Sequence, residues 1–272
     1  MSTPAMRLQA GPWVLEVTPE RGAVFTALRH EGRELLAPQG AFWMLPWCNR
    51  LDGGRFPWNG QLHRLPVNEA AGNALHGLGR DAPWSVKHAS GADAILLQSL
   101  SHPPFHYAAR LHLSVGEAGL AMTLSLRNMG AEPCPMGLGW HPWFARPPAC
   151  RVRLEAGSAF RTDARSLPVE AFATTGLDGG EAGWLGLDRH FASWNGRAEL
   201  RRPDLAIHLA AEGEWARNLQ FFAPEERPVL CLEPVSHVPD VINRPQFAGL
   251  GPMRVLEPGE AMTARLVLTA RA

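Results

Sequence analysis

The feature that most constrains the fold is an alternation of apolar and polar side chains with a period of two residues. It recurs in six segments: Trp13–Val17, Ala23–Leu28, Ala94–Gln98, Ala109–Val115, Met122–Arg127 and Ala264–Thr269. Successive side chains of a strand point to opposite faces of a sheet, so this pattern predicts β-strands with one buried face. No segment of ten or more residues shows a clear helical period. The chain is therefore predicted to be all-β.

Turn sequences separate these segments, as expected for strands that follow one another in hairpins. They are Gly-Glu-Ala-Gly at 116–119, Asn-Met-Gly at 128–130, Asp-Gly-Gly at 178–180 and Pro-Gly-Glu at 258–260. The 27 glycines and 24 prolines are dispersed along the chain, which favours a large antiparallel β-sandwich. Without a linker, a low-complexity tract or an internal repeat, residues 1–272 are predicted to form a single domain.

The composition argues against several classes of partner. Lys and Arg number 26 and Asp and Glu number 26, so there is no electrostatic basis for binding nucleic acid or an anionic membrane. No apolar run reaches membrane-spanning length, and residues 1–7 lack the apolar core of a signal peptide. Four scattered cysteines without a Cys-x-x-Cys pair are typical of reduced thiols, which predicts a cytoplasmic protein.

An aromatic segment centred on a histidine, Gly137–Phe144, stands out from the strand pattern. Pro142 fixes its own φ angle and biases His141 towards an extended conformation. The neighbouring rings, including Trp143, can form a dry wall that offers a flat face to a sugar ring. The alternative is a histidine that is simply packed within an aromatic core.

Residues 41–84 crowd polar and aromatic side chains together without clean alternation. Within them, Arg50 follows Asn49 and offers a rigid fork of donors that suits sugar hydroxyls or a carboxylate. His76 precedes Gly77, where a ligand can approach the backbone closely. A surface arginine in a hairpin and a solvated loop histidine are the competing interpretations.

Two acidic residues further along the chain are candidates for a site. The apolar run Val229–Leu232 leads directly into Glu233, and Pro234 is predicted to end this strand. A carboxylate at the end of a buried strand is costly unless it is paired or used, although a structural salt bridge would also account for it. Asp188 carries a weaker signal, because a turn aspartate that caps its own backbone explains it equally well.

In this order, the segments resemble the aldose 1-epimerase (galactose mutarotase) family. The resembling segments are Asn49–Arg50, Leu75–Gly77, Gly139–Phe144, Leu187–Asp188, Cys231–Pro234, Pro239–Asn243 and Leu256–Glu260. They cover most of the chain. The resemblance implies the family's β-supersandwich, in which large twisted antiparallel sheets stack and the active site lies on a concave face. It implies an isomerase that interconverts the α and β anomers of a free aldose without a cofactor or a metal.

The resemblance also implies roles for individual side chains. Glu233 matches the general base, His141 the general acid and His76 a second histidine near the ring oxygen. The side chains expected to contact the sugar are Asn49, Arg50, Asp188 and Trp143. Apolar neighbours should raise the pKa of Glu233, and a nearby carboxylate should favour the charged form of His141. The expected partner is a small sugar, and the protein is expected to be a monomer or a homodimer.

Three other functions compete with this interpretation. His76, His141 and Glu233 have the composition of a two-histidine, one-carboxylate metal site, although no His-x-His or His-x-x-x-His run connects them. A sugar-binding protein without catalysis could keep the same fold. Finally, an arginine after His-Gly resembles the sugar-phosphate mutarotases, in which case Arg80 or Arg55 would receive the phosphate of a hexose 6-phosphate.

Overall fold

The computed structural model describes residues 5–271, and the predicted all-β class is confirmed. The first twelve strands are β1 (Met6–Ala10), β2 (Trp13–Thr18), β3 (Val24–His30), β4 (Arg33–Glu34), β5 (Leu36–Met44), β6 (Arg50–Asp52), β7 (Arg55–Trp58), β8 (Gln61–Arg64), β9 (Asn73–Leu75), β10 (Ser85–Ala89), β11 (Asp93–His102) and β12 (Phe105–Gly116). The next twelve are β13 (Gly119–Asn128), β14 (Cys134–Met136), β15 (Gly139–Ala145), β16 (Arg151–Thr162), β17 (Pro168–Ala173), β18 (Leu177–Gly180), β19 (Asp188–Arg201), β20 (Ala206–Gly213), β21 (Asn218–Phe222), β22 (Val229–Val235), β23 (Arg254–Leu256) and β24 (Ala261–Arg271). Three short 3₁₀ helices span Pro19–Arg21, Glu181–Gly183 and Pro245–Leu250.

Each of the six segments overlaps a strand, and burial alternates along them, although in β11 the exposed residue is Leu97 and the buried one is Gln98. In β12, for example, buried side chains at Leu111, Leu113 and Val115 alternate with more exposed ones. A tight turn then joins β12 to β13, with Gly116 paired to Gly119. The period-two pattern therefore predicted both the strands and their buried faces.

Strand β19 connects two long runs of antiparallel strands. Its second half pairs with β20, and the run continues through β24, β13, β12 and β11 to β10. Its first half pairs with β21, and that run continues through β22, β15, β5, β3 and β2 to β1. Strand β16 lies along the other edge of β19. The pairings join 18 strands into one continuous hydrogen-bonded network.

The paired strands β5 and β15 separate the core from the candidate site. Trp43 and Trp140 are paired across the two strands and are fully buried, and the ring of Trp43 stacks on Trp215 at 6.4 Å. The next pair along the ladder is Phe42 with His141, which points to the opposite face. One face of these strands therefore packs the core, while the other face presents an imidazole.

That second face carries a row of side chains across four neighbouring strands. Phe42 on β5 pairs with His141 on β15, and Glu233 on β22 pairs with Gln220 on β21. His141 lies level with Glu233, because the pairs between β15 and β22 keep one register on either side of them. Paired residues point to the same face of a sheet, so residues distant in sequence meet here.

The prediction that Pro234 ends its strand is wrong. Strand β22 continues to Val235, and Pro234 is paired with Leu219 of β21. On its other side, β22 pairs with β15 at Val235 and again at Leu230 and Val229, but not between them. We call this unpaired interval, residues 140–143 facing residues 231–234, the seam. Pro142 and Pro234 both lie in it, and a proline has no N–H to donate to a ladder.

The segment 41–84, which lacks clean alternation in the sequence, is largely built from short strands and turns. Strand β6 pairs with β9, which sets Arg50 opposite Leu75, and β7 pairs with β8. All four cysteines are buried and free, as expected for reduced thiols. Within residues 5–271, no helix has both the length and the apolar character required to cross a membrane.

Candidate active site

A cavity of about 240 Å³ opens on the face that carries His141 and Glu233. All seven side chains proposed from the sequence line it: Asn49, Arg50, His76, His141, Trp143, Asp188 and Glu233. Six further residues complete the lining: Phe42, Leu75, Arg80, Gln220, Phe222 and Arg227. The structure thus brings together residues separated by as many as 191 positions in the sequence, from Phe42 to Glu233.

At the centre of the cavity, Nε2 of His141 lies 3.2 Å from Oε1 of Glu233. Both residues are deeply buried, with 4% of His141 and 1% of Glu233 exposed. Among the groups of residues 5–271, neither Nδ1 of His141 nor Oε2 of Glu233 finds a hydrogen-bond partner. Buried polar atoms without a partner are costly, which indicates that this pair serves a function other than stability.

Burial shifts the pKa values of this pair in opposite directions. Desolvation raises the pKa of Glu233 well above its usual value, and the nearby Asp188 raises it further, while Arg50 opposes the shift. Desolvation lowers the pKa of His141 to about 3, and the charge of Arg80 adds to this. The expectation that the carboxylate keeps His141 charged is wrong for the free protein. Burial therefore favours the neutral form of each group, which is the protonated form of Glu233 and the uncharged form of His141.

His141 is the middle ring of what we call the aromatic stack, formed by Phe42, His141 and Trp143. Phe42 lies 4.4 Å from His141 at an interplanar angle of 23°, and Trp143 lies 4.9 Å away at 28°. The guanidinium group of Arg227 lies over Trp143 at 5.0 Å. Trp143 therefore lines the cavity but is not a free flat wall, because its ring is already stacked on the imidazole. The stack fixes the plane of the imidazole.

His76 stands at a right angle to the aromatic stack. Its ring lies 5.0 Å from His141 with an interplanar angle of 90°, and 5.3 Å from Phe42. Nδ1 of His76 contacts Sδ of Met44 at 2.9 Å. Burial lowers the pKa of His76 well below its usual value, and the charges of His141, Arg80 and Arg50 act in the same direction. His76 is therefore a neutral imidazole at the cavity wall.

Two backbone positions with unusual conformations hold the loops that carry Asn49 and His76. Both residues have positive φ angles, 56° and 65°, which are uncommon outside glycine. They support each other, since the N–H of His76 donates to the carbonyl of Asn49 at 2.9 Å. The next residue, Gly77, has φ of 80°, and a Cβ there would lie 1.9 Å from the carbonyl oxygen of Leu45. Only glycine fits this position without displacing the loop.

Arg50 and Asp188 belong to a polar network on the other side of the cavity. Nε of Arg50 donates to Glu69 at 2.8 Å, and its Nη1 lies 3.4 Å from Oδ2 of Asp188. Nε2 of Gln220 donates to Oδ1 of Asp188 at 2.5 Å. Burial raises the pKa of Asp188 above its usual value, and the contacts with Arg50 and Gln220 oppose this shift without reversing it. The network fixes a guanidinium group and a carboxylate side by side, which is an arrangement suited to adjacent sugar hydroxyls.

Sequence reasoning missed several lining residues. Phe42 and Gln220 carry no motif, and only strand register places them beside His141 and Glu233. Arg227 follows two glutamates in a turn and gave no signal. Of the two arginines considered for a phosphate, Arg80 lines the cavity, whereas Arg55 lies outside the lining and is paired with the nearby Asp52.

One set of side chains has the composition of a metal site. His141, Cys231 and Glu233 each offer a ligand atom, and these atoms all lie within 4.8 Å of one another. Cys231 takes the place that His76 had in the sequence hypothesis. Burial, together with the charge of Glu233, raises the pKa of the Cys231 thiol well above its usual value. Because metals bind the thiolate, this environment opposes metal capture by Cys231.

Comparison with known proteins gives a consistent result. The model of the aldose 1-epimerase family matches residues 10–269. The uncharacterised Escherichia coli K12 protein YphB is 28% identical over 284 residues, covering 96% of this chain and 97% of its own length. The uncharacterised protein YihR of the same organism is 24% identical over 225 residues, covering 74% of this chain and 70% of its own length.

Solved structures agree on the fold. An Escherichia coli K12 protein provisionally assigned as an aldose 1-epimerase superposes with a TM-score of 0.88 at 26% identity, covering 98% of each chain. A galactose mutarotase-like protein of Clostridium acetobutylicum superposes with a TM-score of 0.85 at 20% identity, covering 98% of this chain and 95% of its own. The predicted galactose mutarotase-like architecture is confirmed. With a family match that spans nearly all of its residues, this chain belongs to the aldose 1-epimerase family.

Proposed function

We propose that this protein is an aldose 1-epimerase, which interconverts the α and β anomers of an aldose by opening and closing the sugar ring. The observation that supports this most directly is the contact of 3.2 Å between His141 and Glu233 inside a cavity. Anomer exchange needs one group that removes the proton of the C1 hydroxyl and another that protonates the ring oxygen. An imidazole and a carboxyl group that share one proton supply both functions.

Ring opening uses the pair with its proton on His141. The carboxylate of Glu233 removes the proton from the C1 hydroxyl, the C1–O1 bond becomes a carbonyl, and the bond between C1 and the ring oxygen breaks. The imidazolium of His141 gives its proton to the departing ring oxygen. The products are an open-chain aldehyde, a protonated Glu233 and a neutral His141, so protons and electron pairs balance.

Ring closure reverses these steps after the C1–C2 bond has rotated. The hydroxyl that was the ring oxygen attacks the other face of the carbonyl, and His141 takes its proton. Glu233 returns a proton to O1 and completes the opposite anomer. The reaction consumes nothing, which agrees with a pair that exchanges a single proton.

Burial favours the proton distribution that follows ring opening. The directions of both pKa shifts favour a protonated Glu233 and a neutral His141. That is also the state of the pair when the open-chain aldehyde is bound. The environment therefore favours the neutral pair that is present once the ring has opened.

The remaining lining residues are proposed to hold the sugar. The fork of Arg50 and the carboxylate of Asp188 bind neighbouring hydroxyls, and Oδ1 of Asn49 supports Arg50 by accepting from its backbone N–H. His76, neutral and perpendicular to His141, faces the ring oxygen side and orients the substrate. These groups are held by the network around Arg50 and by the positive-φ positions, so little reorganisation is needed on binding.

Polarimetry tests this proposal. A freshly dissolved α-anomer should reach anomeric equilibrium faster with the wild-type protein than without it. Glu233→Gln keeps the size of the side chain but removes the base, and His141→Asn removes the acid, so each should reduce turnover by roughly 10²-fold or more. Because the two act as one unit, the double variant should be little worse than the poorer single variant.

A matched control separates this effect from general damage. Glu170→Gln makes the same change at an exposed carboxylate outside the cavity, and it should leave turnover unchanged. A wild-type protein that binds the sugar without accelerating the exchange would be a binding protein instead. Loss of turnover on chelation, restored by one divalent metal, would support the metal hypothesis. Near-normal turnover in Glu233→Gln would contradict the role of this residue.

A further inference from the structure

The guanidinium group of Arg50 is held by residues that do not themselves line the cavity. Its Nε donates to Oε1 of Glu69 at 2.8 Å, and Oε2 of Glu69 accepts from Nδ2 of Asn73 at 2.8 Å. Oδ1 of Asn73 accepts in turn from Nη2 of Arg165 at 2.8 Å. We call these four residues, Arg50, Glu69, Asn73 and Arg165, the polar chain. It connects the cavity to the turn between β16 and β17.

Arg165 anchors the polar chain because it bonds both strands of the ribbon formed by β6 and β9. Its Nη1 lies 2.6 Å from Oδ1 of Asp52 on β6, and its Nη2 bonds Asn73, the residue paired with Asp52 on β9. The ribbon begins at Arg50, and His76 directly follows its last residue. The anchor therefore acts on the element that carries two residues of the candidate site.

The turn that carries Arg165 has a defined backbone. Oδ1 of Asp163 accepts the N–H groups of Arg165 and Leu167, at 2.8 and 3.0 Å. The N–H of Asp163 donates to the carbonyl of Leu167 at 3.0 Å, which closes the turn. From this turn the guanidinium group makes four hydrogen bonds to the ribbon and to the residues just before β9. The anchor is thus fixed at both of its ends.

Each bond of the polar chain specifies which atom donates. Both oxygens of Glu69 accept, one from Arg50 and one from Asn73, so a carboxylate suits this position and a carboxamide does not. Asn73 presents its oxygen to Arg165 and its nitrogen to Glu69, so its carboxamide cannot be reversed without breaking both bonds. Asn73 is fully buried, where an amide atom without a partner is costly. The polar chain therefore favours a single arrangement.

Glu69 can act on a bound sugar only through Arg50, because Glu69 is not part of the cavity lining. A guanidinium group is planar, so the bond from its Nε to Glu69 and the contact of its Nη1 with Asp188 at 3.4 Å together define the plane of its donors. A flexible arginine would lose freedom when it bound a hydroxyl, and that loss weakens binding. The polar chain removes this freedom in advance.

We infer that Glu69 and Asn73 are positioning residues, anchored by Arg165, which set the plane of the Arg50 guanidinium group before a sugar binds. They act on the binding of the sugar rather than on the proton transfer at the centre of the cavity. This inference rests on the proposed anomer exchange, and it assigns a role in that reaction to three residues outside the cavity.

The test exchanges the carboxylate and the carboxamide of the polar chain. Glu69→Gln sets an N–H against the N–H of Asn73 or of Arg50, and Asn73→Asp sets two carboxyl groups against each other. Polarimetry with fresh α-D-glucose and fresh α-D-galactose measures anomer exchange. Each single variant should raise KM about tenfold and leave kcat within about threefold, because an interaction that supports binding is weakened.

The double variant Glu69→Gln/Asn73→Asp has the net charge of the wild type and again gives each donor an acceptor. Its KM should therefore lie closer to the wild-type value than the KM of either single variant. Recovery should be incomplete, because Nδ2 of Asn73 also donates to the carbonyl of Arg165 at 3.2 Å, and an aspartate cannot make that bond.

A second measurement does not depend on catalysis. The Nε–H of Arg50 is observed by NMR with isotope-labelled arginine and is identified by its absence from the Arg50→Lys spectrum. Its exchange with solvent should be about tenfold faster in each single variant and slower again in the double variant. Arg165→Gln should also accelerate this exchange, because the polar chain then loses its anchor.

The protein contains a matched control set outside the cavity. Glu155 accepts from Nδ2 of Asn195 at 3.0 Å and from Arg153 at 3.4 Å, so the same three residue types meet there. Glu155→Gln, Asn195→Asp and the corresponding double variant should leave KM, kcat and the Arg50 signal unchanged.

The outcomes separate this inference from the proposed function. If neither sugar reaches anomeric equilibrium faster with the protein, anomer exchange fails, and solvent exchange at Nε–H of Arg50 still decides the role of the polar chain. The inference is overturned if that exchange rate is unchanged in both single variants, or if the double variant is more impaired than either of them. It is also overturned if the single variants lower kcat but not KM, since a loss of folded protein alone has that effect.

Discussion

A buried histidine that must transfer a proton would ordinarily limit an enzyme to a narrow pH range. Here burial and Arg80 lower the pKa of His141 to about 3, while burial and Asp188 raise the pKa of Glu233. These shifts raise one pKa and lower the other, so the pair is expected to hold a single proton at pH values between the two. A second proton, which would block the base, binds only as the pH falls towards the lowered value of His141.

The pH dependence of kcat/KM follows from these shifts. We expect no loss of activity as the pH falls through about 6.5, where an ordinary histidine titrates. On the alkaline side, kcat/KM should fall as the pH rises past the raised pKa of Glu233, because the pair then has no proton to donate. Initial rates by polarimetry between about pH 5 and pH 8, corrected for the uncatalysed reaction, measure this. An acid limb with its midpoint near 6.5 would show that His141 is not buried as a neutral group.

At the scale of single residues, the sequence predicted the chemically distinctive side chains but not their surroundings. Histidines beside glycine or proline and a carboxylate after an apolar run were visible as motifs. Phe42 and Gln220 were not, because a phenylalanine or a glutamine joins a site only through its cross-strand neighbour. The charge state of His141 was also missed, since burial depends on everything packed around it.

Among the elements, the loop that carries His76 depends on one glycine. Gly77→Ala places a Cβ against the carbonyl of Leu45 and requires a positive φ of an alanine. We expect it to lower the free energy of unfolding by at least about 3 kcal/mol, and to reduce turnover, because His76 moves with the loop. Urea unfolding and polarimetry measure the two effects.

Gly60→Ala is the matched control for this change. Gly60 has a similar φ of 75° but no atom within 4 Å of the added Cβ. Gly60→Ala should lower the free energy of unfolding by only about 1 kcal/mol, because the alanine must adopt a left-handed backbone conformation. It should leave activity unchanged. Equal effects of the two substitutions would show that the contact with Leu45 is not what makes Gly77 necessary.

For the molecule as a whole, alternation predicted the strands and their buried faces, but not how the strands assemble. Nothing local indicates that β19 divides its length between β20 and β21, or that β15 lies between β5 and β22. These are non-local pairings, chosen by the fit of whole faces against one another. Even Pro234, which locally favours a strand end, is retained within β22 because the pairing with β21 continues past it.

The stability of the whole molecule should depend on pH through its buried histidines. Burial lowers the pKa of His141 to about 3, and lowers the pKa of His190 and of His237 to about 4. In the unfolded chain each titrates near about 6.5, so the unfolded state binds more protons below that pH. The contribution of these histidines to the free energy of unfolding is complete above a pH of about 6.5. It is lost progressively as the pH falls towards 4.

Urea unfolding at several pH values measures this loss. Each such histidine should remove about 1.4 kcal/mol from the free energy of unfolding per pH unit below about 6.5. His190→Gln keeps a donor to Asn218 but cannot titrate, and should make the dependence less steep. His88→Gln, at an exposed position, should leave it unchanged. A pH dependence that His190→Gln leaves unchanged would contradict the burial of His190 as a neutral imidazole.

The seam between β15 and β22 has a consequence for how the molecule moves. The two side chains that exchange the proton are attached to strands that have no backbone pairing between them at that level. The two parts of the sheet can therefore move relative to each other here without breaking a backbone hydrogen bond between β15 and β22. Each of these strands stays paired with its other neighbour. We expect the amides of residues 231–233 to exchange with deuterium faster than those of the continuously paired β12 and β13. The proposed reaction requires a site that accepts a closed ring, then a planar aldehyde, and then attack by the same hydroxyl on the other face. The seam would allow the strands to move at the place where the proposed substrate changes shape.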